Sequence, residues 1–289
     1  MPAWASAAAG PVAGLAAGLV AAVLVAGPLA AQPTDLVSRE AFRVCADPAN
    51  VPESVEDGSG FENRIAELMA TTLDRPLQYF WSPMAMGFVR RTLMSYNCDV
   101  IIGFAQGEDM VMTTNAYYTS GYTLVTREDS DLADVTTLAD PRLKGRRIGV
   151  IAGTPPASYL AHYGLLGTVR GYNLQVDRRV ESPSEDMLRA IDAGELDIAV
   201  MWGPVAGPLV KQSEAPLRLA VLIDEPKPAG VPRLFYRVSM GVRNGEDVWK
   251  RELNSTLRKV QPEIDAILRE AGVPLLNDMG TAEKPEAAQ

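Results

Sequence analysis

The sequence predicts an α/β protein of two similar lobes, with a hinge and a cleft between them. From residue 42 onward, short apolar strands alternate with amphipathic helical segments, which is typical of a parallel sheet with crossover helices. A polar segment at 128–134 interrupts the alternation, which then starts again. Leu93 precedes Asp99 and its apolar strand by six positions, and Ile191 precedes Asp197 by the same six. The second lobe therefore repeats a unit of the first.

The first lobe begins with strands at 42–47, 77–82 and 99–104, separated by helices at 61–73 and 87–95. In open α/β sheets the ligand crevice lies just beyond the carboxyl ends of the parallel strands. We therefore expect the loops that follow the first and third of these strands to face a cleft.

The remaining elements give the domain organisation. A strand at 122–126 closes the first lobe, and we place the hinge at 128–134. Ser182 to Glu185 forms a capping box with proline at the first helical position, which predicts a helix start. A strand from residue 239 returns to the first lobe, followed by a helical stripe that Pro262 divides or kinks. The predicted boundaries are 42–128 plus 239–273 for lobe 1, 135–238 for lobe 2 and 277–289 for a polar, disordered tail.

The N-terminal segment is strongly apolar. Residues 1–38 contain no lysine or arginine, and residues 12–31 are almost all Ala, Val, Leu and Gly. The small pair Ala30-Ala31 provides a cleavage site, so we expect a signal peptide at 1–31 and a periplasmic mature protein without membrane attachment. The alternative is a membrane anchor, since the apolar run is nearly long enough to span a bilayer.

Charge and cysteine content limit the partners and the compartment. The net charge of −9 excludes a nucleic-acid partner and permits a basic protein. The two cysteines fit an oxidising compartment. Cys45 lies in the first strand and Cys98 just before the third, so ideal parallel pairing offsets them by about three residues, or about 10 Å. A disulfide needs Cα atoms roughly 4.4–6.8 Å apart, so a bridge and two buried thiols both remain open.

Five phrases in this order resemble one family. They are CADPANVP from Cys45, GFENRIAE from Gly60, GFVRRTL from Gly87, CDVIIG from Cys98 and WGPVAG from Trp202. Together they resemble the MxaJ/XoxJ group of the type II periplasmic solute-binding protein superfamily, over residues 42–273. The resemblance implies a two-lobed periplasmic binding fold. It also implies an accessory role beside a pyrroloquinoline-quinone (PQQ) methanol dehydrogenase, by docking on the enzyme or by activating or maturing it.

The sequence departs from the amino-acid receptors of that superfamily. Those receptors usually hold the ligand carboxylate with an arginine after the third strand, but the loop 105–114 contains no arginine. Where they tend to place an aspartate after the second-lobe strand, this chain has Met201-Trp202-Gly203. Pro155 and Pro156 also remove N–H donors from the usual anion cradle at a helix start. We therefore expect a neutral or apolar ligand, or a protein partner, in the cleft.

Aromatic residues and polar residues at strand ends supply the candidate cleft side chains. Trp202 is the best candidate because it ends a strand beside Gly203-Pro204, and Thr154 belongs to the turn before Pro155. Core packing is the alternative for the aromatic candidates, and helix capping is the alternative for Asp47 and Asn50. The full candidate set is Asp47, Asn50, Trp81, Phe88, Phe104, Tyr118, Thr154 and Trp202.

The sequence does not predict an enzyme, a metal site or a cofactor. His162 is the only histidine and has no serine or cysteine partner in a catalytic motif, so we expect it to be structural. A single histidine leaves no usual zinc site, and the methionine pairs are more typical of core filler than of copper ligands. Two other functions remain: a receptor of an ABC importer for a neutral or weakly polar solute, and a dehydratase-type enzyme acting in the cleft.

Overall fold

Residues 36–107, 109–223 and 225–285 are described by the structure, a computed structural model. The predicted signal peptide at 1–31 lies outside these ranges. Within them, no helix has the length and apolar character needed to cross a membrane.

Strands and helices alternate along most of this part of the chain. The strands are β1 Phe42–Ala46, β2 Ala49–Asn50, β3 Ser54–Val55, β4 Leu77–Trp81, β5 Val100–Ala105, β6 Met112–Thr113, β7 Tyr118–Arg127, β8 Ile148–Ile151, β9 Val169–Tyr172, β10 Ile198–Trp202, β11 Leu217–Val221 and β12 Phe235–Val242. The helices are α1 Phe61–Thr72, α2 Phe88–Arg91, α3 Pro155–His162, α4 Pro183–Asp192, α5 Gly203–Gln212, α6 Asp247–Lys259 and α7 Gln261–Ala271. Pro262 stands near the start of α7, so the predicted division of the last helical stripe is confirmed.

The strand pairing confirms the α/β architecture. The main sheet has the order β4-β1-β5-β12-β7-β10-β8-β9, with β11 paired to β7 and β6 paired to β12. In the first half, β1 runs parallel to β4 and β5. In the second half, β8 runs parallel to β9 and β10. The antiparallel strands β7 and β12 join the two parallel halves, which gives the type II periplasmic binding fold.

The hinge prediction at 128–134 differs from the structure. The chain crosses between the halves inside β7, whose first residues pair with β12 and whose later residues pair with β10 and β11. Leu132, within the predicted hinge, is fully buried in a core cluster of the second half. The crossing points are therefore Tyr118 to Tyr122 in β7 and Phe235 to Val238 in β12. The strand at 122–126 was assigned to the first lobe because the sequence of β7 contains no break that marks the crossing.

Separate apolar clusters fill the two halves. Phe42, Ile65 and Trp249 belong to the large cluster of the first half. Leu124 and Ile148 belong to a cluster of the second half. Trp202 packs against both clusters, so its side chain sits where the two lobes meet.

The repeated aspartate has the same structural role in each lobe. Asp99 precedes β5 and accepts hydrogen bonds from the Arg43 guanidinium, at 2.7 Å from Nε. Asp197 precedes β10 and accepts from Arg147, at 3.1 Å from Nε. Asp99 is also bound by Arg243 at 2.6 Å, and both of these side chains are almost fully buried. Each aspartate thus fixes an arginine at or just before the first strand of its lobe to the strand beside it.

The two cysteines are joined. Cys45 and Cys98 form a disulfide with their Cα atoms 5.5 Å apart. The separation of about 10 Å expected from the sequence holds only for a straight strand before Asp99. Instead, Tyr96 adopts a left-handed conformation with φ of 60°, and β5 begins only at Val100. Cys45 still lies opposite Ile101, but Cys98 precedes the strand, so the strand rise does not set its distance from Cys45.

The described part of the predicted disordered tail is ordered. Lys284 donates its backbone N–H to the Leu275 carbonyl at 2.8 Å and pairs with Asp265 at 2.5 Å. Arg269 donates to the carbonyl oxygens of Lys284 and Pro285. Residues 277–285 therefore fold back onto α7, because their polar side chains and backbone find partners there. The last four residues lie outside the described ranges.

Candidate functional site

A cavity of about 380 Å³ lies between the two lobes. Its volume is within the roughly 300–1,000 Å³ typical of small-molecule sites. The first lobe contributes the loop after β1 and the end of β5, and the second lobe contributes the ends of β8 and β10 and a long loop before α4. Side chains and backbone that line it include Val51, Glu53, Gly103, Tyr118, Tyr122, Thr154, Leu174, Arg178, Glu181, Glu185, Trp202 and Tyr236.

The structure brings three of the predicted site residues to this cavity: Tyr118, Thr154 and Trp202. Trp202 ends β10 and lies edge-on to two tyrosines, with ring centroids 5.4 Å from Tyr122 and 5.8 Å from Tyr236. Thr154 donates its hydroxyl to the Ile151 carbonyl at 2.6 Å. With Pro155 and Pro156 at the first two positions of α3, this helix start presents few N–H donors to an anion.

Asp47 and Asn50 are buried beneath the cavity wall, each 2% exposed. Asp47 organises two loops, since its carboxylate accepts the backbone N–H of Ala49 at 2.9 Å and of Met84 at 2.6 Å. The Asn50 amide donates to Glu53 at 2.8 Å, and its oxygen accepts a hydrogen bond from Arg178. Both residues therefore support the cavity from below rather than line it.

Three aromatic candidates lie outside the cavity lining. Phe88 is 6% exposed in a core cluster with the disulfide. Phe104 packs its ring against Gly241, where a Cβ would lie 3.2 Å from it. Trp81 stacks on Tyr79 with ring centroids 4.3 Å apart. Their apolar surfaces are better covered by the first-lobe core than by the cleft, so the expectation that they face the cleft differs from the structure.

Sequence reasoning missed a charged group at the cavity. Arg178, from the second-lobe loop, reaches across to Asn50 of the first lobe. Asn50 in turn holds Glu53, whose carboxyl has a pKa raised mainly by burial. Arg178 lies in an irregular stretch without periodicity, so no sequence pattern marked it. The hydrogen bond from Arg178 joins the two lobes at the cavity.

Glu62 is the most unusual acidic residue of the site. It is 8% exposed, and no hydrogen bond or ion pair of its carboxylate is found among the described residues. Its Oε1 lies 1.8 Å from the position that a Cβ on Gly103 would occupy. Because Gly103 lines the cavity and has no side chain, the carboxyl lies directly behind the wall. Burial raises the Glu62 pKa well above its usual range, and the nearby Glu53 raises it further.

Exposed apolar side chains lie on the loops at and beside the cavity. Val51 and Leu174 line the cavity and are 44% and 46% exposed. Val180, two residues after Arg178, is 78% exposed. Met84 and Met86 follow β4 and are 36% and 85% exposed, beside the loop that Asp47 anchors. We call these five residues the apolar rim. They come from both lobes, on loops that line the cavity or adjoin residues that do.

The acidic side chains and the histidine do not form a metal site in the described part of the chain. Within the described ranges, no group of three or more His, Cys, Asp or Glu side chains is arranged to hold a metal ion. His162 packs edge-on against Tyr163 with ring centroids 5.1 Å apart. Among the described residues, it does not belong to the cavity lining.

Comparison with curated proteins identifies full-length relatives. The chain is 34% identical over 283 residues to protein MoxJ of Methylorubrum extorquens strain AM1, which covers 91% of this chain and 93% of the relative. It is 30% identical over 268 residues to protein MoxJ of Paracoccus denitrificans, with 89% and 94% covered. No protein-family model matches the sequence.

Comparison with solved structures gives consistent results. The periplasmic binding protein XoxJ from Methylobacterium extorquens AM1 is 43% identical, with a TM-score of 0.70, and the match covers 82% of this chain and all (100%) of XoxJ. MxaJ from Methylophaga aminisulfidivorans MPT is 30% identical, with a TM-score of 0.69 and coverage of 81% and 100%. An ancestral cationic amino acid solute-binding protein is 18% identical with a TM-score of 0.63, which is a likeness of fold alone.

Proposed function

The chain belongs to the family of periplasmic binding-like proteins that includes MoxJ, MxaJ and XoxJ, and from this premise we propose that it is an accessory protein of a PQQ-dependent methanol dehydrogenase. It acts in the periplasm, where it docks on the dehydrogenase and activates or matures it. The premise for the partner is the resemblance to the MxaJ/XoxJ group. XoxJ is described as a periplasmic binding protein, which favours a role other than catalysis.

The apolar rim is the observation that carries the proposal. Monomeric proteins seldom gather exposed apolar side chains in one place unless the place is an interaction site. Here two of them line the cavity and three lie on adjoining loops, and the most exposed, Met86 and Val180, come from different lobes. Methionine adapts its shape to irregular partners. A partner that covers both Met86 and Val180 therefore also bridges the lobes and favours one opening angle of the cleft.

The charge of the chain supports a basic partner surface. The formal net charge is −9, and Glu181 and Glu185 lie in the cavity lining close to the rim. Opposite charges raise the rate of encounter and select the partner more than they add affinity. Docking by an apolar rim within an acidic surrounding therefore predicts association that becomes slower as salt increases.

The test is size-exclusion chromatography with light scattering on the mature protein mixed with the methanol dehydrogenase of the same source. A complex is expected, and Val180→Ser should weaken it. Val248→Ser is the matched control, because Val248 is 53% exposed on α6 and lies outside the cavity lining. The absence of a complex at tens of micromolar protein, or equal loss with both variants, contradicts docking at the rim.

An importer receptor is the second candidate, favoured by the enclosed volume of about 380 Å³. A solute bound in the cavity at 100 times its dissociation constant should stabilise the folded protein by about 2.7 kcal/mol. A thermal-shift screen of neutral and weakly polar solutes measures this. A neutral ligand that raises the melting temperature, with no dehydrogenase complex, favours the receptor.

A further inference from the structure

The ionisable groups at the cavity floor do not balance. Two carboxyls, Glu53 and Glu62, and one guanidinium, Arg178, meet there from the two lobes. With every group ionised, these three groups carry a net charge of −1, and Asp47, which faces Glu53, adds a further carboxyl. Glu53, Glu62 and Arg178 take part in none of the ion pairs among residues 36–107, 109–223 and 225–285. Buried charges are stable only when they are paired. The floor is therefore at least one positive charge short of neutrality.

We propose that the cavity binds a singly charged organic cation, an alkylammonium group, whose charge replaces a proton on the Glu53–Glu62 pair. The inference rests on the cleft being a binding site, as proposed above, but it does not require the dehydrogenase. The alkylammonium group is either a free amine or the side chain of a lysine on a loop of the partner.

The aromatic walls suit such a ligand. Tyr122, Trp202 and Tyr236 surround one side of the cavity, and Tyr118 lies on the first-lobe side. Cations are attracted to the faces of aromatic rings, most strongly to tryptophan. The same faces cover the alkyl carbons that an ammonium group carries. The cavity thus offers apolar cover for the chain and negative charge for the head group.

Other ligand charges fit the cavity less well. An anion or a carboxylate would approach the Glu53 and Glu62 carboxyls, which together carry more charge than Arg178 neutralises, and the start of α3 has prolines at its first two positions. A divalent metal would need more ligands than two carboxyls, and no metal-binding group of three is found in the described part of the chain. A neutral ligand would leave the two carboxyls sharing a proton.

The exchange of a proton for the cation predicts how the affinity for the cation depends on pH. Burial raises the pKa of both carboxyls, so the unliganded site retains a proton at a pH where an exposed glutamate has lost it. A bound cation favours the ionised form, so the proton is released on binding. Below the raised pKa, affinity should therefore increase with pH by up to about tenfold per unit, and it should level off above that pKa.

Other ionisable groups beside Glu53 and Glu62 also affect the charge at the cavity floor. Tyr79, Tyr117 and Tyr118 face Glu62 and keep their protons, since burial raises the pKa of each hydroxyl. Asp47 faces Glu53 and raises the Glu53 pKa. Arg178 lowers the pKa of both Glu53 and Glu62. The two glutamates are the carboxyls of this group whose pKa burial raises.

Isothermal titration calorimetry on the mature protein is the test. The probes are n-butylammonium, the neutral n-butanol and the anion butyrate, each at several values of pH from about 5.5 to 8 and in two buffers of different ionisation enthalpy. We expect n-butylammonium to bind with release of up to about one proton, most at the lowest pH, and the other two to bind at least tenfold more weakly. Equal affinity for n-butylammonium and n-butanol, or no proton release, overturns the proposal.

Glu62→Gln keeps the shape of the side chain and removes its charge. It should abolish the proton release and weaken n-butylammonium at least tenfold. Glu67→Gln is the matched control, since Glu67 is exposed on the same helix and outside the cavity lining, and it should change the affinity less than twofold. Thermal unfolding of both variants checks that they fold. If Glu62→Gln folds and binds like the parent protein, the proposal is wrong.

The source of the cation is separated by adding the dehydrogenase. If n-butylammonium binds and displaces the dehydrogenase, and acetylation of dehydrogenase lysines also prevents the complex, the cation is a partner lysine. If n-butylammonium binds without affecting the complex, it is a free amine. A complex that forms while no cation binds retains the proposed function and overturns this inference alone. Binding of n-butylammonium without any complex with the dehydrogenase retains this inference and overturns the proposed function.

Discussion

Replacing Gly103 by alanine tests the placement of Glu62 behind the cavity wall. A Cβ at this position would lie 1.8 Å from the Glu62 Oε1 and 2.7 Å from its Cδ. The backbone also has φ of +75° there, a conformation that costs a residue with a side chain roughly 1–2 kcal/mol. Because Glu62 is buried by the tightly packed start of α1, moving its carboxyl adds a penalty typical of overpacking, about 1–3 kcal/mol. We expect Gly103→Ala to lower the free energy of unfolding by about 2–5 kcal/mol.

Gly230→Ala is the matched control. Gly230 has the same φ of +75°, but nothing lies within 4 Å of its Cβ position. It should therefore lose only the backbone part, about 1–2 kcal/mol. The assay is urea unfolding followed by tryptophan fluorescence, with linear extrapolation to water.

A double variant isolates the clash. In Gly103→Ala with Glu62→Ala the carboxyl is absent, so the combined loss should be smaller than the sum of the two single losses by about the overpacking part, 1–3 kcal/mol. If Gly103→Ala is no more destabilising than Gly230→Ala, or if the two single losses simply add, the carboxyl does not lie against Gly103 and the account of the cavity floor is wrong.

Three further predictions concern the frame around the cavity. Asp99→Asn should lower the free energy of unfolding by about 3 kcal/mol in urea titrations, because it breaks the buried pair with Arg243, which then keeps only Glu246 among the described carboxylates, and the pair with Arg43. Asp197→Asn, whose arginine partner is 52% exposed, should cost less than about 1 kcal/mol, and equal losses would contradict the difference in burial. Cys45→Ala with Cys98→Ala should cost about 2–4 kcal/mol, while the parent protein should show no thiol reactive toward Ellman's reagent before reduction; two reactive thiols in the unfolded, unreduced protein would exclude the bridge. Arg178→Ala removes the hydrogen bond between the lobes at the cavity, so backbone hydrogen exchange in 49–55 and 173–181 should accelerate, and unchanged exchange there would show that this bond does not hold the two loops.

The sequence predicted the fold class and the repeated unit well because both depend on local pattern. Alternating strands and helices determine a parallel sheet, and the two aspartates at the same spacing take up the same role in both lobes. The hinge could not be located in this way. β7 continues as one strand from Tyr118 to Arg127 while its pairing partners change, and a change of partner leaves no mark on the strand's own residues.

The candidate site was predicted only where residues close in sequence determine it. Trp202 could be recognised because it stands at the end of a strand and the start of a helix. Glu62 resembles an ordinary acidic residue in the first turn of a helix, which is usually solvated. Its burial depends on Gly103, about forty residues further along, and Arg178 approaches it from the other lobe. Contacts of this kind arise from the tertiary fold, so periodicity cannot reveal them.

Hydrogen exchange on the complex with the methanol dehydrogenase tests the central claim most directly. The mature protein is measured alone and with saturating dehydrogenase, and protection is compared among the segments 82–87, 173–181 and 247–259. Docking at the cleft mouth predicts slower exchange in the first two segments, which carry Met84, Met86, Leu174 and Val180, and no change in the third, which forms α6. Protection confined to α6, or no protection in any segment of a complex that forms, would contradict docking through the cleft.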